Sequence, residues 1–481
     1  MAPFKSFAKL AFTITAPKAS TNNNNNIDDP SKEYGSLCLT KMCKLFNITP
    51  NNNLYLSNNN KNGERGVCIT NSIKEGEVIL SMPISSCFRD DEPPNWYNNK
   101  LGEENEEVDT VGERYNPSAW STRLAASILD MELNQGRDSS TTNTNTPENE
   151  ELKLGREIWS SMLPQNDILR ASLPVHWDED VLATSKCTAL ELAVDSAYFA
   201  RANSVMDLSE ELKAALDIKG WSMMNNDDVK ELLLDMDALQ RKCHDALDIV
   251  QTRACRVERK CDDGVTQWGP PLRILAPVFD LINHGSFSMG SGNAIYGIEN
   301  ANFDLENAKL VVRATRDLKK GEEVLIDYGD SARPAWKALT SYGFVPEYDE
   351  NTCVAELFMH GQRFEVDTQS VPFDLVEVAA AQSLLDQSYE DGEIEQVQSG
   401  DSDGLPPFVA RAIVKRATEA AFNLVTEPDE ESNDTEDDFE PGSLLAMNLA
   451  TNLRWSQHKV LMGFAENLKE FASSTTSAEE E

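Results

Sequence analysis

Apolar positions along the chain change period several times, and each change predicts a different kind of element. Leu37, Leu39, Met42 and Leu45 keep helical spacing between Tyr34 and Phe46, which predicts a short packing helix. From Gly63 to Ile84 the apolar runs are short and separated by turns. Gly63-Glu64-Arg65-Gly66 leads into Val67, Cys68 and Ile69, and Lys74-Glu75-Gly76-Glu77 leads into a strand from Val78 to Pro83. Trp120, Leu124, Ala125, Ile128, Leu129 and Leu133 then recur at helical spacing, opened near Ser118. Leu182 to Val257 reads as several helices, broken near Lys219-Gly220. Gly285 to Gly297, rich in Gly and Ser, reads as a loop, and Phe303, Leu305 and Leu310 to Val312 as strands. Beyond Val345 the period is helical, at Phe373 to Leu385, Pro407 to Leu424 and Pro441 to Phe471, with acidic linkers near Glu390 to Asp403 and Glu427 to Glu440.

Two stretches interrupt this pattern with chemistry. In Pro277 to His284, the apolar Val278, Phe279, Leu281 and Ile282 enclose Asp280, Asn283 and His284. Burial of such a segment obliges the amide and the imidazole to find partners, because an unpaired buried polar group is costly. A satisfied core pair and a ligand site both meet that demand. About fifty residues on, Lys320-Gly321 forms a turn, Val324 to Ile326 reads as a buried strand, and two Tyr-Gly pairs follow, Tyr328-Gly329 and Tyr342-Gly343.

Asn283-His284 followed by these tyrosines, with the Gly63 to Ile84 hairpin before them, resembles the core of the SET-domain protein methyltransferases. The passage Leu163-Pro164, Leu173-Pro174 and Trp177 resembles the branch that includes Rubisco large-subunit methyltransferase. The resemblance implies an α+β fold: a β-rich SET fold with a knot-like crossing, a helical insertion, and an all-α C-terminal domain. It implies a flexible N-terminal region over 1–54, a SET domain over 55–345 split by the insertion at about 116–270, and a helical substrate-binding-like domain over 346–481.

It also implies the activity: a protein-lysine N-methyltransferase using S-adenosylmethionine (SAM), with no metal. Protein-histidine methylation and a non-catalytic protein-binding scaffold are the alternatives. By resemblance, the backbone at Glu64 and Arg65 touches SAM, Asn283 and His284 hold it, and Arg253 takes its carboxylate. A snorkelling role for Arg253 fits its apolar-edge position equally. Tyr342 is the candidate catalytic phenol and Tyr328 lines the same channel. Asp280 faces the substrate, or caps a helix. His176, beside Trp177, reads as packing more than catalysis, and His244 as solvent-facing. The sequence departs from the family after Tyr328, where Asp330-Ser331-Ala332-Arg333-Pro334 stands in place of a Ser-Asn pair.

Charge then narrows the partners. The 481 residues carry 43 basic and 81 acidic side chains, a net −38. Such a chain repels nucleic acid and anionic membrane and suits a protein substrate with a basic segment. No run reaches the roughly 18 apolar residues of a membrane span. The nine cysteines form no C-x-x-C pair, and their odd count and the large core read as reduced intracellular thiols, in cytoplasm, nucleus or plastid; the chain is expected to be a monomer. The acid-free N-terminus fits a transit peptide or an ordinary disordered terminus, and the Asn22 to Asn26 tract reads as flexible.

Overall fold

The computed structural model describes residues 30–49, 54–57, 65–97, 117–133, 147–218, 235–261, 265–287, 289–300, 304–329, 334–348, 353–385, 405–426 and 441–473. The asparagine tract, Glu64 and both acidic linkers lie outside them. The chain divides into two units: Met1–Asn166 with Ala200–Tyr328, and Asp167–Phe199 with Gly329–Glu481. The architecture is α+β, as the sequence implies.

The first unit is built on short strands. β1 (Leu54–Ser57) pairs antiparallel with β2 (Gly66–Ile69). β3 (Val78–Pro83) is followed by the two-residue β4 (Phe88–Arg89). β5 (Cys255–Val257) and β6 (Leu272–Leu275) join β4 in a sheet ordered β4-β6-β5. β7 (Asn283–His284), β8 (Ala294–Glu299), β9 (Lys309–Ala314) and β10 (Leu325–Ile326) join β3 in a sheet ordered β3-β9-β8-β10-β7. The first three of these strands run antiparallel, and β10 runs parallel to both β8 and β7.

β8 corrects the sequence reading, which ran a loop on to Gly297. The Gly/Ser bias ends at Gly292, and Ile295, Tyr296 and Ile298 continue as a strand in register with Arg313, Val312 and Leu310. Conversely, Leu305 lies outside any strand. Helices Pro30–Leu45, Pro117–Leu133, Pro147–Ser160 and Met236–Arg253 cover the strands. Trp159, Phe46, Ile69, Leu80 and Leu124 are wholly buried in this unit.

The segment before β10 is bonded on its other side as well. Val324 N donates to Val67 O at 2.8 Å, Ile69 N to Glu322 O at 3.0 Å and Leu318 N to Ile73 O at 2.8 Å. One stretch of chain is therefore held between the first hairpin and the Asn283-His284 strand.

In the second unit, helices Phe373–Leu385, Pro407–Val425 and Pro441–Ser473 fall where the periodicity predicts them. Leu357, Phe364, Leu375, Val409, Ile413, Val460, Leu461 and Phe464 share its core. To the helices the structure adds an antiparallel hairpin, β11 (Ala355–Met359) with β12 (Gln362–Val366). His360 and Gly361 turn it, both at positive φ (53° and 74°).

Candidate active site

Asn283 and His284 are the whole of β7, paired to Leu325 and Ile326. The pairing is close because Gly285 follows: a Cβ there would stand 2.7 Å from Leu325 Cβ. Asn283 Nδ2 donates to Arg65 O and to Glu323 Oε1, each at 2.9 Å. Both amide hydrogens are thereby used, and Oδ1 keeps its acceptor capacity.

His284 Nδ1 accepts from Tyr328 N at 3.3 Å, which requires the neutral ring. Burial lowers its pKa from the ordinary value, against an opposing pull from Asp327. The imidazole lies 5.4 Å from the Tyr328 ring, and the Tyr328 hydroxyl donates to Ile282 O at 2.6 Å. With its hydrogen so committed, the Tyr328 oxygen can meet a ligand only as an acceptor.

Behind this couple sits a buried charge cluster. Val278 enters it at φ 75°, a strained conformation for a β-branched residue, and the short turn Phe279–Leu281 then aims Asp280 inward. The Asp280 side chain is 0% exposed. Its Oδ2 accepts from Trp159 Nε1 and from Arg253 Nη1, both at 3.0 Å, and Arg253 Nη1 also reaches Asp280 O at 3.1 Å. Arg65 lies in the same field, its Nη2 donating to Met162 O at 3.1 Å. Its pKa is pushed down to about 10, by burial first and the Arg253 charge second, with Asp280 opposing. Arg253 Nε and Asp280 Oδ1 are buried without hydrogen-bond partners.

The structure thus gathers Arg65, Arg253, Asp280, Asn283, His284 and Tyr328 in one unit. The Asp280 side chain is wholly buried, its Oδ2 held by the Arg253 guanidinium and the Trp159 indole in the field of Arg65. Tyr342 ends the helix Ala335–Tyr342 in the second unit, its ring 6.1 Å from Phe344, with Gly343 in the left-handed region at φ 76°. His176 belongs to a short turn, Pro174–His176, of that unit. His244 is half-buried rather than simply solvent-facing. Its Nδ1 accepts from Arg201 Nε at 3.1 Å, beside the buried Arg201–Asp248 ion pair.

Two participants escape a sequence reading of the site, Glu323 and Trp159. Glu323 follows an identical residue, and only strand alternation distinguishes them. Among the described residues, no His, Cys, Asp and Glu side chains gather as a metal site would require, and no helix is long and apolar enough to cross a membrane.

A family model described as SET domain matches residues 64–329, more than half of the chain. No curated protein matches it. Among solved structures, the chain is similar to the SET domain of LSMT bound to lysine and AdoHcy. Identity is 15% and TM-score 0.49, over 92% of this chain and 92% of that one. It is also similar to Rubisco LSMT bound to sinefungin and monomethyllysine, at 14% identity and TM-score 0.48 over 91% and 92%. Rubisco LSMT bound to AdoMet gives 16% identity and TM-score 0.46 over 90% and 92%.

Proposed function

The chain belongs to the SET-domain family, and from that premise we propose that it is a SAM-dependent protein-lysine N-methyltransferase of the branch with a C-terminal helical substrate domain. The observation that carries the reading is the pairing of opposite polarities in one unit. Among the described residues, Asn283 Oδ1 accepts no hydrogen bond, and nearby the Arg253 guanidinium is paired with Asp280 in the field of Arg65, with Arg253 Nε unpaired. An acceptor suits an ammonium and a pair of guanidiniums suits a carboxylate, and the amino-acid end of SAM carries both.

When bound, SAM supplies a methyl group on a cationic sulfur, open to attack by a neutral amine. The chain's own part is positioning and proton management. Asn283 and the backbone at Glu64 and Arg65 hold the amino-acid end, and Arg65 and Arg253 balance its carboxylate. His284, neutral, fixes the backbone at Tyr328. The Tyr328 oxygen accepts weak C–H···O contacts from the methyl group, each worth about 0.5–1 kcal/mol. Tyr342 presents its phenol to the incoming amine. A substrate lysine, ordinarily near pKa 10.4, loses its proton on entering an apolar passage beside a positive charge. The net charge of −38 favours a basic segment around that lysine.

Isothermal titration with S-adenosylhomocysteine tests the reading at its root. Binding is expected, and its absence leaves a scaffold. For the tyrosines, Tyr328→Phe and Tyr342→Phe are each expected to keep that affinity within about threefold while lowering kcat by about tenfold or more. Unchanged turnover in either variant removes that residue from the chemistry. Labelled SAM with a lysate, followed by mass spectrometry of the labelled residue, distinguishes lysine from histidine and names the substrate.

A further inference from the structure

Glu322 and Glu323 are adjacent and identical, yet they are used in opposite ways. Glu322 turns outward, where Oε2 accepts from Lys319 N at 2.9 Å and Oε1 pairs with Arg316 Nη1 at 2.6 Å. Glu323 turns inward, and Oε1 accepts from Asn283 Nδ2. Its backbone is held from both sides. Glu323 bridges to Cys68, and its carbonyl accepts from Asn293 Nδ2 at 2.8 Å. Asn293 is 1% exposed, and its Oδ1 accepts from Leu325 N at 2.9 Å. The Cys68 thiol beside it stays protonated, its pKa raised by burial first and by the Glu323 charge second.

The consequence falls on Asn283. An amide can ordinarily present either end. Here both neighbours of Nδ2, Arg65 O and Glu323 Oε1, are acceptors without a hydrogen to give. Rotating the amide by half a turn would set Oδ1 against both oxygens, a doubly repulsive arrangement. The carbonyl end is therefore the only one that can face a ligand. We propose that Glu323 is a positioning residue: it locks the Asn283 amide with Oδ1 outward, and so makes the site demand a protonated amine on its ligand.

The inference rests on the SAM-binding reading, and its test separates the two. The probes are S-adenosylhomocysteine and its deaminated analogue, which keeps adenosine, sulfur and carboxylate but lacks the ammonium. Failure of the wild-type chain to bind S-adenosylhomocysteine refutes the reading of function. Given wild-type binding, Glu323→Ala is expected to weaken S-adenosylhomocysteine about tenfold, the scale of one hydrogen bond to a charged group. It should leave the deaminated analogue within about twofold. Glu323→Gln retains an acceptor oxygen and is expected to restore the wild-type preference. Glu323→Asp stops one methylene short and is expected to behave as the alanine variant, which keeps the test available should alanine not fold. In a double-mutant cycle with Asn283→Ala, Glu323→Ala is expected to add no further loss. Equal loss for both ligands, unchanged affinity in a folded Ala or Asp variant, or additive losses in the cycle each overturn the proposal.

Discussion

Replacing Asp280 by asparagine tests the charge cluster most directly. The carboxylate is 0% exposed and is the anion to which Trp159 Nε1 and Arg253 Nη1 donate, with Arg65 in its field. Asparagine keeps the shape and can still accept from the indole, so packing is nearly unchanged. What disappears is the negative charge, and two guanidiniums remain buried together. Breaking a buried pair by removing one partner costs about 3–5 kcal/mol, because the surviving charge stays desolvated. Here two charges survive, which places the expected cost at the upper end of that range. Arg253→Met removes a cation instead. Asp280 then keeps Trp159 and a single cation, Arg65, and the expected loss is smaller, about 1–3 kcal/mol. The asymmetry follows from two cations sharing one anion, and it does not depend on the absolute scale.

Native-state hydrogen exchange by mass spectrometry, followed in peptides covering β6 and β7, reads the opening free energy of this unit separately from the other. Urea titration of the whole chain would mix the two. A loss below about 1 kcal/mol for Asp280→Asn, or an Arg253→Met loss equal to or greater than it, refutes the balance drawn here. So does an Asp280→Asn variant of wild-type stability with a raised KM for protein substrate, since that returns Asp280 to a substrate-facing role.

Other expectations follow from single groups. Burial depresses the His284 pKa below the ordinary value of about 6.5. The unfolded chain thus takes up the proton first, and the stability tied to the neutral ring is whole above about 6.5 and is lost as pH falls from there through the folded value. The opening free energy of the β7 peptides should fall between pH 7.5 and 5.5 in the wild type and change less in His284→Gln. In the second unit, Gly343→Ala puts a Cβ 2.6 Å from Ser172 Oγ at φ 76°, whereas Gly361→Ala at φ 74° meets open space. Each should cost about 1 kcal/mol in left-handed strain, and Gly343→Ala a further 1 kcal/mol or more, measured as exchange protection of the helix Ala335–Tyr342 for Gly343 and of the β11–β12 hairpin for Gly361. Equal losses at the two glycines would remove the steric part.

Local patterns were legible in the sequence wherever one face of an element repeats. Leu39 to Leu45, Trp120 to Leu133 and the three C-terminal helices declare themselves by period alone, because core contact is made every three or four residues, although Leu37, predicted on the same face, is exposed. The Asn283-His284 strand and Tyr328 were legible by kinship, and the structure brings them within hydrogen-bonding distance. What stayed hidden has two physical causes. Short strands carry too few residues to show alternation: β7 and β10 have two each, and β8 begins straight after a Gly/Ser run. Polar residues carry no sign of which way they point. Glu323 and Glu322 differ only in strand phase. His244 lies on a helix whose polar side meets Arg201, and Asp280 is turned inward by a Val278 conformation that no propensity would suggest.

The site and the fold of the first unit are made of the same hydrogen bonds. The stretch from Leu318 to Tyr328 donates to Val67 and Ile73 on one side, while on the other its backbone pairs with β7 and Ile326 O accepts from Gly285 N. Asn283 bonds the Arg65 carbonyl from one of these pieces and the Glu323 carboxylate from another. Each group in this lattice is spent on holding chain to chain, so truncating it lowers stability whatever its part in chemistry. Loss of activity alone is therefore weak evidence for a catalytic role here. The groups that can separate the two effects are those whose atoms project from the lattice without closing it. Among the described residues Asn283 Oδ1 is such an atom, accepting no hydrogen bond, whereas Tyr328 Oη closes the lattice through its hydrogen, given to Ile282 O, and offers a ligand only its acceptor side. If the unit binds and transfers as proposed, its selectivity resides in those two oxygens, and its rigidity in nearly everything around them.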